Sequence, residues 1–225
     1  MLRAVFFDVD GTLIRTGGAG KAAFAYTLSS VFGVRNVAER IHFAGRTDIS
    51  LVREMFTLGG IEPTKENFQR FFDAYPFWLD YLLSRTRGEV IPGVREFIGA
   101  LLARPDPPLI GLLTGNIRLG AEIKLRHFCL WELFKTGAFA DDGEDRAQIA
   151  QCARYRASQQ LHKELAGHEI LVVGDTPHDI RCARAIGAKA MAVLTGGATR
   201  VQLAALKPDW LVEDLRRVNI EEIVR

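Results

Sequence analysis

The chain has 225 residues, 48% of them hydrophobic and 25% charged, with a formal net charge of +2. That composition suits a globular protein with a good core, built as one large domain or as a core plus a smaller appendage. Acidic and basic residues are interspersed, which argues against a nucleic-acid or membrane surface, and no apolar run approaches the ~20 residues of a membrane helix.

Ala4–Phe7 is apolar without alternation, the pattern of a strand buried on both faces of a parallel sheet. It ends at Asp8, with Asp10 two residues on and Gly11 opening a turn. Gly17, Gly18 and Gly20 then lead into a helical stripe of Phe24, Leu28, Val31 and Phe32 that stops near Gly33. A second helix starts near Asp48, with Leu51, Val52, Met55 and Phe56 inward, and ends at Gly59-Gly60. A third starts at Thr64 and carries Phe68, Phe71, Phe72 and Tyr75, then Leu79, Leu82 and Leu83; Pro76 is expected to kink or split it. Residues 15–88 therefore read as helices without a strand.

From Val90 the rhythm becomes α/β. Pro92-Gly93 opens a helix, Leu109–Leu113 is a strand, 117–130 is helical and 137–140 a short strand. A long helix is expected over about 145–165. Strands at 169–173, 188–194 and 210–212 then alternate with helices at 177–186, 200–206 and from Asp214 onward. Such alternation means βαβ units and a parallel sheet. The expected fold is α/β, a parallel-sheet core of residues 1–14 and 89–225 with residues 15–88 inserted as a helical block. The insertion would emerge beyond the carboxyl end of the first strand, where open α/β sheets bind ligands and where a lid belongs.

Three of these strands end in polar residues. Asp8 and Asp10 are close enough to repel unless a cation sits between them. Mg²⁺ prefers such oxygen ligands, and would draw a phosphate towards Asp8, a carboxylate able to form an aspartyl-phosphate. An Asp-Gly turn with Asp8 as a cap is the plainer alternative. Leu113 is followed by Thr114-Gly115-Asn116, a hydroxyl and main-chain N–H groups at a helix start, which suits an anion or merely caps the helix. Ile170–Val173 leads to Gly174-Asp175-Thr176-Pro177-His178-Asp179. Asp175 could complete a metal site with Asp8 and Asp10, and Asp179 could ligate through water or orient a neighbour; a capping pair is the alternative. Phosphoryl transfer also needs a fixed cation. Arg146, at the start of the long helix, is one candidate. Lys124, within Glu122-Ile123-Lys124-Leu125, reads better as part of a solvated helix face. The histidines offer no metal cluster, and His178 reads as solvated at a helix start.

Asp8-Val-Asp-Gly-Thr-Leu13, Leu113-Thr-Gly-Asn116 and Gly174-Asp-Thr-Pro-His-Asp179, in this order and with a helical insertion after the first, resemble the haloacid dehalogenase superfamily. The resemblance covers essentially the whole chain. It implies a Rossmann-like core with a helical cap domain inserted after the first strand, Asp8 as nucleophile and Asp10 as general acid/base. It implies Mg²⁺ held by Asp8, the Asp10 main-chain carbonyl and Asp175, with Thr114 and Asn116 on the phosphoryl group. Many relatives carry a Lys-Pro sequence before the last motif; this chain has none there, and Arg146 falls in the corresponding place. Arg holds phosphate bidentately, so the exchange is chemically sound but not neutral. Gly45-Arg46-Thr47-Asp48 is similar to the cap loop of phosphoglycolate phosphatase-like members, which would let Arg46 touch substrate; a surface loop with Asp48 as helix cap is the alternative.

The expected activity is Mg²⁺-dependent hydrolysis of a small phosphomonoester such as phosphoglycolate or a sugar phosphate. A β-phosphoglucomutase-like phosphotransferase or a phospho-accepting signalling domain are the rivals. Dehalogenation is disfavoured, since the resemblance puts a non-acidic residue where this chain has Asp10. Cys129, Cys152 and Cys182 are odd in number and widely spaced, so they read as core thiols in a reducing compartment. The first apolar segment, broken by Asp8 and Asp10, is no signal peptide. A cytoplasmic location is therefore expected, and the oligomeric state stays open.

Overall fold

Residues 1–224 are described in a computed structural model of the chain. In chain order its strands and α-helices are β1 (Ala4–Phe7), β2 (Ile14–Arg15), α1 (Ala19–Phe32), α2 (Asp48–Gly59), α3 (Lys65–Leu83), β3 (Glu89–Val90), α4 (Val94–Leu102), β4 (Leu109–Leu113), α5 (Arg118–His127), β5 (Thr136–Ala138), α6 (Arg146–Gln160), β6 (Ile170–Gly174), α7 (Pro177–Ala185), β7 (Lys189–Val193), α8 (Arg200–Ala204), β8 (Trp210–Val212) and α9 (Ile220–Ile223).

Six strands form one parallel sheet in the order β5-β4-β1-β6-β7-β8. All four residues of β1 are buried, and alternate residues serve opposite faces. Val5 and Phe7 join one apolar cluster with Phe97, Ile98 and Leu125, whereas Ala4 and Phe6 join another with Ile149, Ala153 and Ile180. The uninterrupted apolar run of β1 is thus the signature of a strand covered by helices on both sides. The chain departs from β1 towards β4 on one edge and β6 on the other. The crevice at their carboxyl ends is therefore a topological switch point, the place where open α/β sheets take ligands. Phe7 lies opposite Leu112 and Val173, a register that brings the residues after β1, β4 and β6 together.

The inserted helices pack around a third apolar cluster that includes Phe24, Phe56, Phe71 and Tyr75 and also takes in Ile117 and Ala140 from beside the sheet. A short antiparallel ribbon, Ile14–Arg15 on Glu89–Val90, stands where the chain leaves the sheet domain and returns, at the two borders of the stretch read as helical. Pro76 does not split α3. Losing one helical hydrogen bond and crowding the preceding turn costs about 3 kcal/mol. Phe71, Tyr75, Leu79 and Leu83 form one buried stripe through both halves, and its packing holds them on one helix.

The long helix after Asp145 ends at Gln160 rather than near residue 165. The segment from Asp214 is a 3₁₀ turn followed by the short α9 rather than one helix. Of the cysteines read as core thiols, Cys182 is buried, Cys152 half-buried and Cys129 exposed. Among the described residues no helix is long and apolar enough to cross a membrane.

Candidate active site

Asp8 continues β1 by one residue, its main-chain N–H donating to the Val173 carbonyl at 3.0 Å. Its carboxylate is buried, and so are those of Asp175, just after β6, and Asp179, in the first turn of α7. The three offer oxygens that all lie within 4.8 Å of one another. Burial, then the neighbouring Asp179 charge, pushes the Asp8 carboxyl up to about 7 against the partial relief given by Arg146. Burial, then Asp179 and Asp8, raises Asp175 well above the usual range.

These acids differ in what they already hold. Asp179 accepts from the Thr176 N–H at 2.9 Å and the Thr176 hydroxyl at 2.6 Å through Oδ2, a capping box at the start of α7. Its Oδ1 is bonded by the Arg146 guanidinium. Asp175 accepts one bond, from the Thr12 hydroxyl at 3.0 Å. A side chain at Gly196 would overlap the Asp175 carboxylate, so this acid sits in a cradle that only glycine leaves open. Clustered buried carboxylates beside a single guanidinium suit a hard divalent cation, which is how the donor set fits Mg²⁺.

Arg146, the first residue of α6, is buried, with Nη1 3.9 Å from Asp8 Oδ1. Although burial opposes it, the Asp179 and Asp8 charges raise its pKa, so it is a permanent cation. Its placement follows from Asp145, which caps α6 by accepting from the Ala147 N–H at 2.8 Å.

Lys124 is not on a solvated face. Its Nζ donates to Asp10 Oδ2 at 2.6 Å and to Asn116 Oδ1 at 2.6 Å, and the residue is 4% exposed. Gly120, Ala121, Lys124 and Leu125 form the buried side of α5. Glycine and alanine one turn before the lysine, on the same side as Leu125, were the available signal; the charged neighbours Glu122 and Arg126 obscured it. Lys124 at Asp10 and Arg146 beside Asp8 are thus two buried cations next to these acids.

Thr114 is fully buried, and its hydroxyl accepts from the Asn116 N–H at 3.3 Å and the Asn116 side-chain amide at 2.9 Å. The same Asn116 amide donates to Asp10 Oδ2 at 2.9 Å. Gly115 has no side chain because the main-chain carbonyl of Arg46 packs where a Cβ would go. The Arg46 guanidinium is turned to Glu54 and to the Ser50 carbonyl, so it lines the cavity as half of an ion pair.

Asp48 does not cap α2; Thr47 does, accepting from the Ser50 N–H at 3.3 Å. Asp48 instead reaches the sheet domain. Its N–H donates to the Gly115 carbonyl at 2.7 Å and its Oδ2 accepts from the Ile117 N–H at 2.7 Å. The acid in Gly45-Arg46-Thr47-Asp48 is thus a latch between the insertion and the start of α5, with its carboxyl pushed up to about 7 by burial. His178 is exposed at the start of α7, with its ring edge against Gly45, and partial desolvation, then Arg146, lowers its pKa.

A cavity of about 330 Å³ opens over these residues. Asp8, Asp10, Thr114, Lys124, Arg146 and Asp175 form its floor. Lys21, Phe24, Phe43 and Arg46 of the insertion form its roof. A larger groove of about 640 Å³ between α6 and α7 contains none of the strand-end residues.

The family described as haloacid dehalogenase-like hydrolase matches residues 5–193. A phosphoglycolate phosphatase of Synechococcus elongatus is 28% identical over 94% of this chain and 93% of its own length. A pyrophosphatase PpaX of Bacillus cereus is 26% identical over 95% of this chain and 93% of its own. The crystal structure of CbbY from Rhodobacter sphaeroides in complex with phosphate superposes with a TM-score of 0.77 at 19% identity, covering 96% of each chain. A hydrolase from Pseudomonas syringae gives 0.75 at 21% identity over the whole of both chains. The match spans β1 to β7, every element that carries a site residue, and the chain belongs to the haloacid dehalogenase-like hydrolases, as an enzyme of their phosphatase type.

Proposed function

We propose that this protein is a Mg²⁺-dependent phosphomonoesterase that works through an aspartyl-phosphate on Asp8. The observation that carries the reading is the placement of Asp8. It lies buried between a carboxylate cluster and Arg146, at the floor of a cavity whose other acid, Asp10, is held by Lys124 and Asn116. Asp8, Asp175 and the Asp10 main-chain carbonyl are the groups that would hold Mg²⁺. Asp179 serves as the residue that orients Arg146 and starts α7. When bound, the ion supplies charge neutralisation for the phosphoryl oxygens and for the acids themselves.

An Asp8 oxygen attacks phosphorus as the ester oxygen leaves on the opposite side. Arg146 and the Thr114–Asn116 segment offset the negative charge of the transferring group. Asp10 hands its proton to the departing alkoxide, then takes one from the water that splits the acyl phosphate and returns Asp8 to its free carboxylate. Lys124 and Asn116 both bond Asp10 Oδ2, which leaves Oδ1 as the oxygen that carries this proton.

Residues 15–88 act as a cap domain over the core of residues 1–14 and 89–225. Its roof residues choose the substrate and exclude water. The cavity volume suits a small organic phosphate such as phosphoglycolate or a sugar phosphate. Acid and base are interspersed along a chain of net charge +2, so the reading includes no nucleic-acid partner. A reducing, cytoplasmic setting belongs to the same reading, carried by three cysteines that stand unpaired.

Hydrolysis of p-nitrophenyl phosphate, measured with Mg²⁺ and then with EDTA, tests the reading. Product release should need the metal, and Asp8→Asn should lower kcat by about 10⁴-fold or more with an unchanged melting curve, the scale set by losing a covalent nucleophile. Full activity of the folded Asp8→Asn protein would sink the assignment.

A further inference from the structure

The side of α3 opposite its buried stripe carries a second one. Phe71, Tyr75, Leu79 and Leu83 face the core of the insertion; Asp73, Phe77 and Tyr81 repeat at the same four-residue spacing, Arg85 continues it in the turn just past the end of α3, and all four are exposed. Phe77 is 67% exposed and Tyr81 41%, unusual values for aromatic side chains on a well-packed helix. Their rings are parallel within 9°, with centroids 6.5 Å apart. Trp78 lies 5.4 Å from Phe77, and Tyr26 of α1, itself 51% exposed, lies 5.1 Å from Trp78. Four aromatic rings thus form one continuous patch, of the sort that marks an interaction surface. Arg85 stacks over Tyr81 at 4.3 Å, so the basic end of the patch is already ordered.

The order along this ridge is acid, aromatic, aromatic, base. Reversed about its midpoint, it meets its own complement. We propose that two copies of the chain associate through this face of α3, antiparallel about a two-fold axis passing between Phe77 and Tyr81. In that arrangement Phe77 rests on Tyr81 of the second copy, and Asp73 meets the second copy's Arg85 at both ends. Ridges at four-residue spacing interdigitate when helices cross at about −50°, the commonest packing class, and a two-fold contact uses the same patch on both partners. A different protein would need the opposite charge order on its own ridge, whereas a second copy carries it by symmetry. None of the patch residues lines the cavity, so association leaves the floor and roof of the site free.

Sedimentation velocity on the intact chain from about 1 μM to about 1 mM, the span from ordinary to weak specific association, reads the equilibrium directly. Wild type should pass from monomer to dimer. Phe77→Glu should weaken the dimer about tenfold or more, as loss of a central aromatic anchor does. Asp73→Arg alone and Arg85→Asp alone should each weaken it likewise, because like charges then face each other. An equimolar mixture of those two variants should dimerise again, since each supplies the charge the other lacks. Far-UV circular dichroism and p-nitrophenyl phosphate turnover at about 1 μM check that each variant stays folded. A wild type that remains monomeric at every concentration would overturn the proposal. So would a dimer indifferent to Phe77→Glu, or a mixture no better associated than its components.

Discussion

A carboxylate with both oxygens engaged orients its neighbours, and one with a free oxygen can move a proton; Asp179 and Asp10 show the two cases. Asp179 is bonded by Arg146 on one side and by Thr176 on the other, whereas Asp10 takes Lys124 and Asn116 on Oδ2 alone. Lys124 is the residue whose position changes the chemistry most relative to the sequence reading. Lys124→Met keeps the stem and removes the charge. The side chain of Asp10 is 43% exposed and can rehydrate, so the fold should lose little. Turnover should fall about 10²- to 10³-fold, the scale for losing one preorganised polar contact at a reacting centre. A steady-state rate within threefold of wild type would remove Lys124 from the mechanism. Asp8 and Asp175 were legible because each stands at the end of an apolar run that reads as a strand. Lys124 was not, because a helix buries or exposes a residue according to what packs beside it.

At the scale of elements, the seam between α2 and the segment after β4 decides how the insertion sits. Thr47 caps α2, the Asp48 N–H bonds Gly115, and the Asp48 carboxyl receives the first free N–H ahead of α5. One helix start thereby satisfies another, which neither local sequence announces. Gly115→Ala should push the new methyl into the Arg46 carbonyl. The seam must then open, at a cost of about 1–3 kcal/mol, typical of overpacking a tight contact. Thermal melts should show that loss, together with a several-fold drop in kcat, because Thr114 and Asn116 flank the displaced residue; an unchanged melt would mean that the seam is slack. The fate of Pro76 has the same origin, since the buried stripe of α3 continues through it and packing overrides a local preference worth a few kcal/mol.

For the whole molecule, two acids pushed up to about 7 set the pH response. Asp48 titrates near 3.8 when unfolded and near 7 when folded, so between those values the folded state holds the extra proton. Stability should therefore be greatest below about pH 4 as far as this group is concerned, and fall as pH rises through 7, by up to roughly 1.4 kcal/mol per pH unit. Asp48→Asn keeps an acceptor for the Ile117 N–H and has no proton to lose, so its melting temperature should vary less between pH 5 and pH 8. An equally steep variant curve would show that Asp48 does not titrate there. Asp8 has the same sign in the metal-free protein. Mg²⁺ competes with protons for it, so the rise in melting temperature on adding Mg²⁺ should be larger at pH 8 than at pH 5.5. Equal gains at both values would argue that the ion binds elsewhere.

The sequence by itself determined the sheet strands to within a residue or two and placed Asp8, Thr114 and Asp175 at strand ends. A strand buried on both faces must be apolar throughout, so the residue that breaks the run marks its carboxyl end. Asp10, Asn116 and Arg146 were legible for a related reason, each standing within a short turn of such an end or at a helix start. Only the tertiary structure decided which cations meet which acids. Lys124 bonds Asp10, Arg146 bridges Asp8 and Asp179, and Arg46 turns away to Glu54. Partners of that kind are 33 to 138 residues apart, or belong to a loop whose direction is set by the packing of the insertion. The charges are written in the chain, but the low-dielectric seam that pairs them exists only once the helices have closed over the sheet.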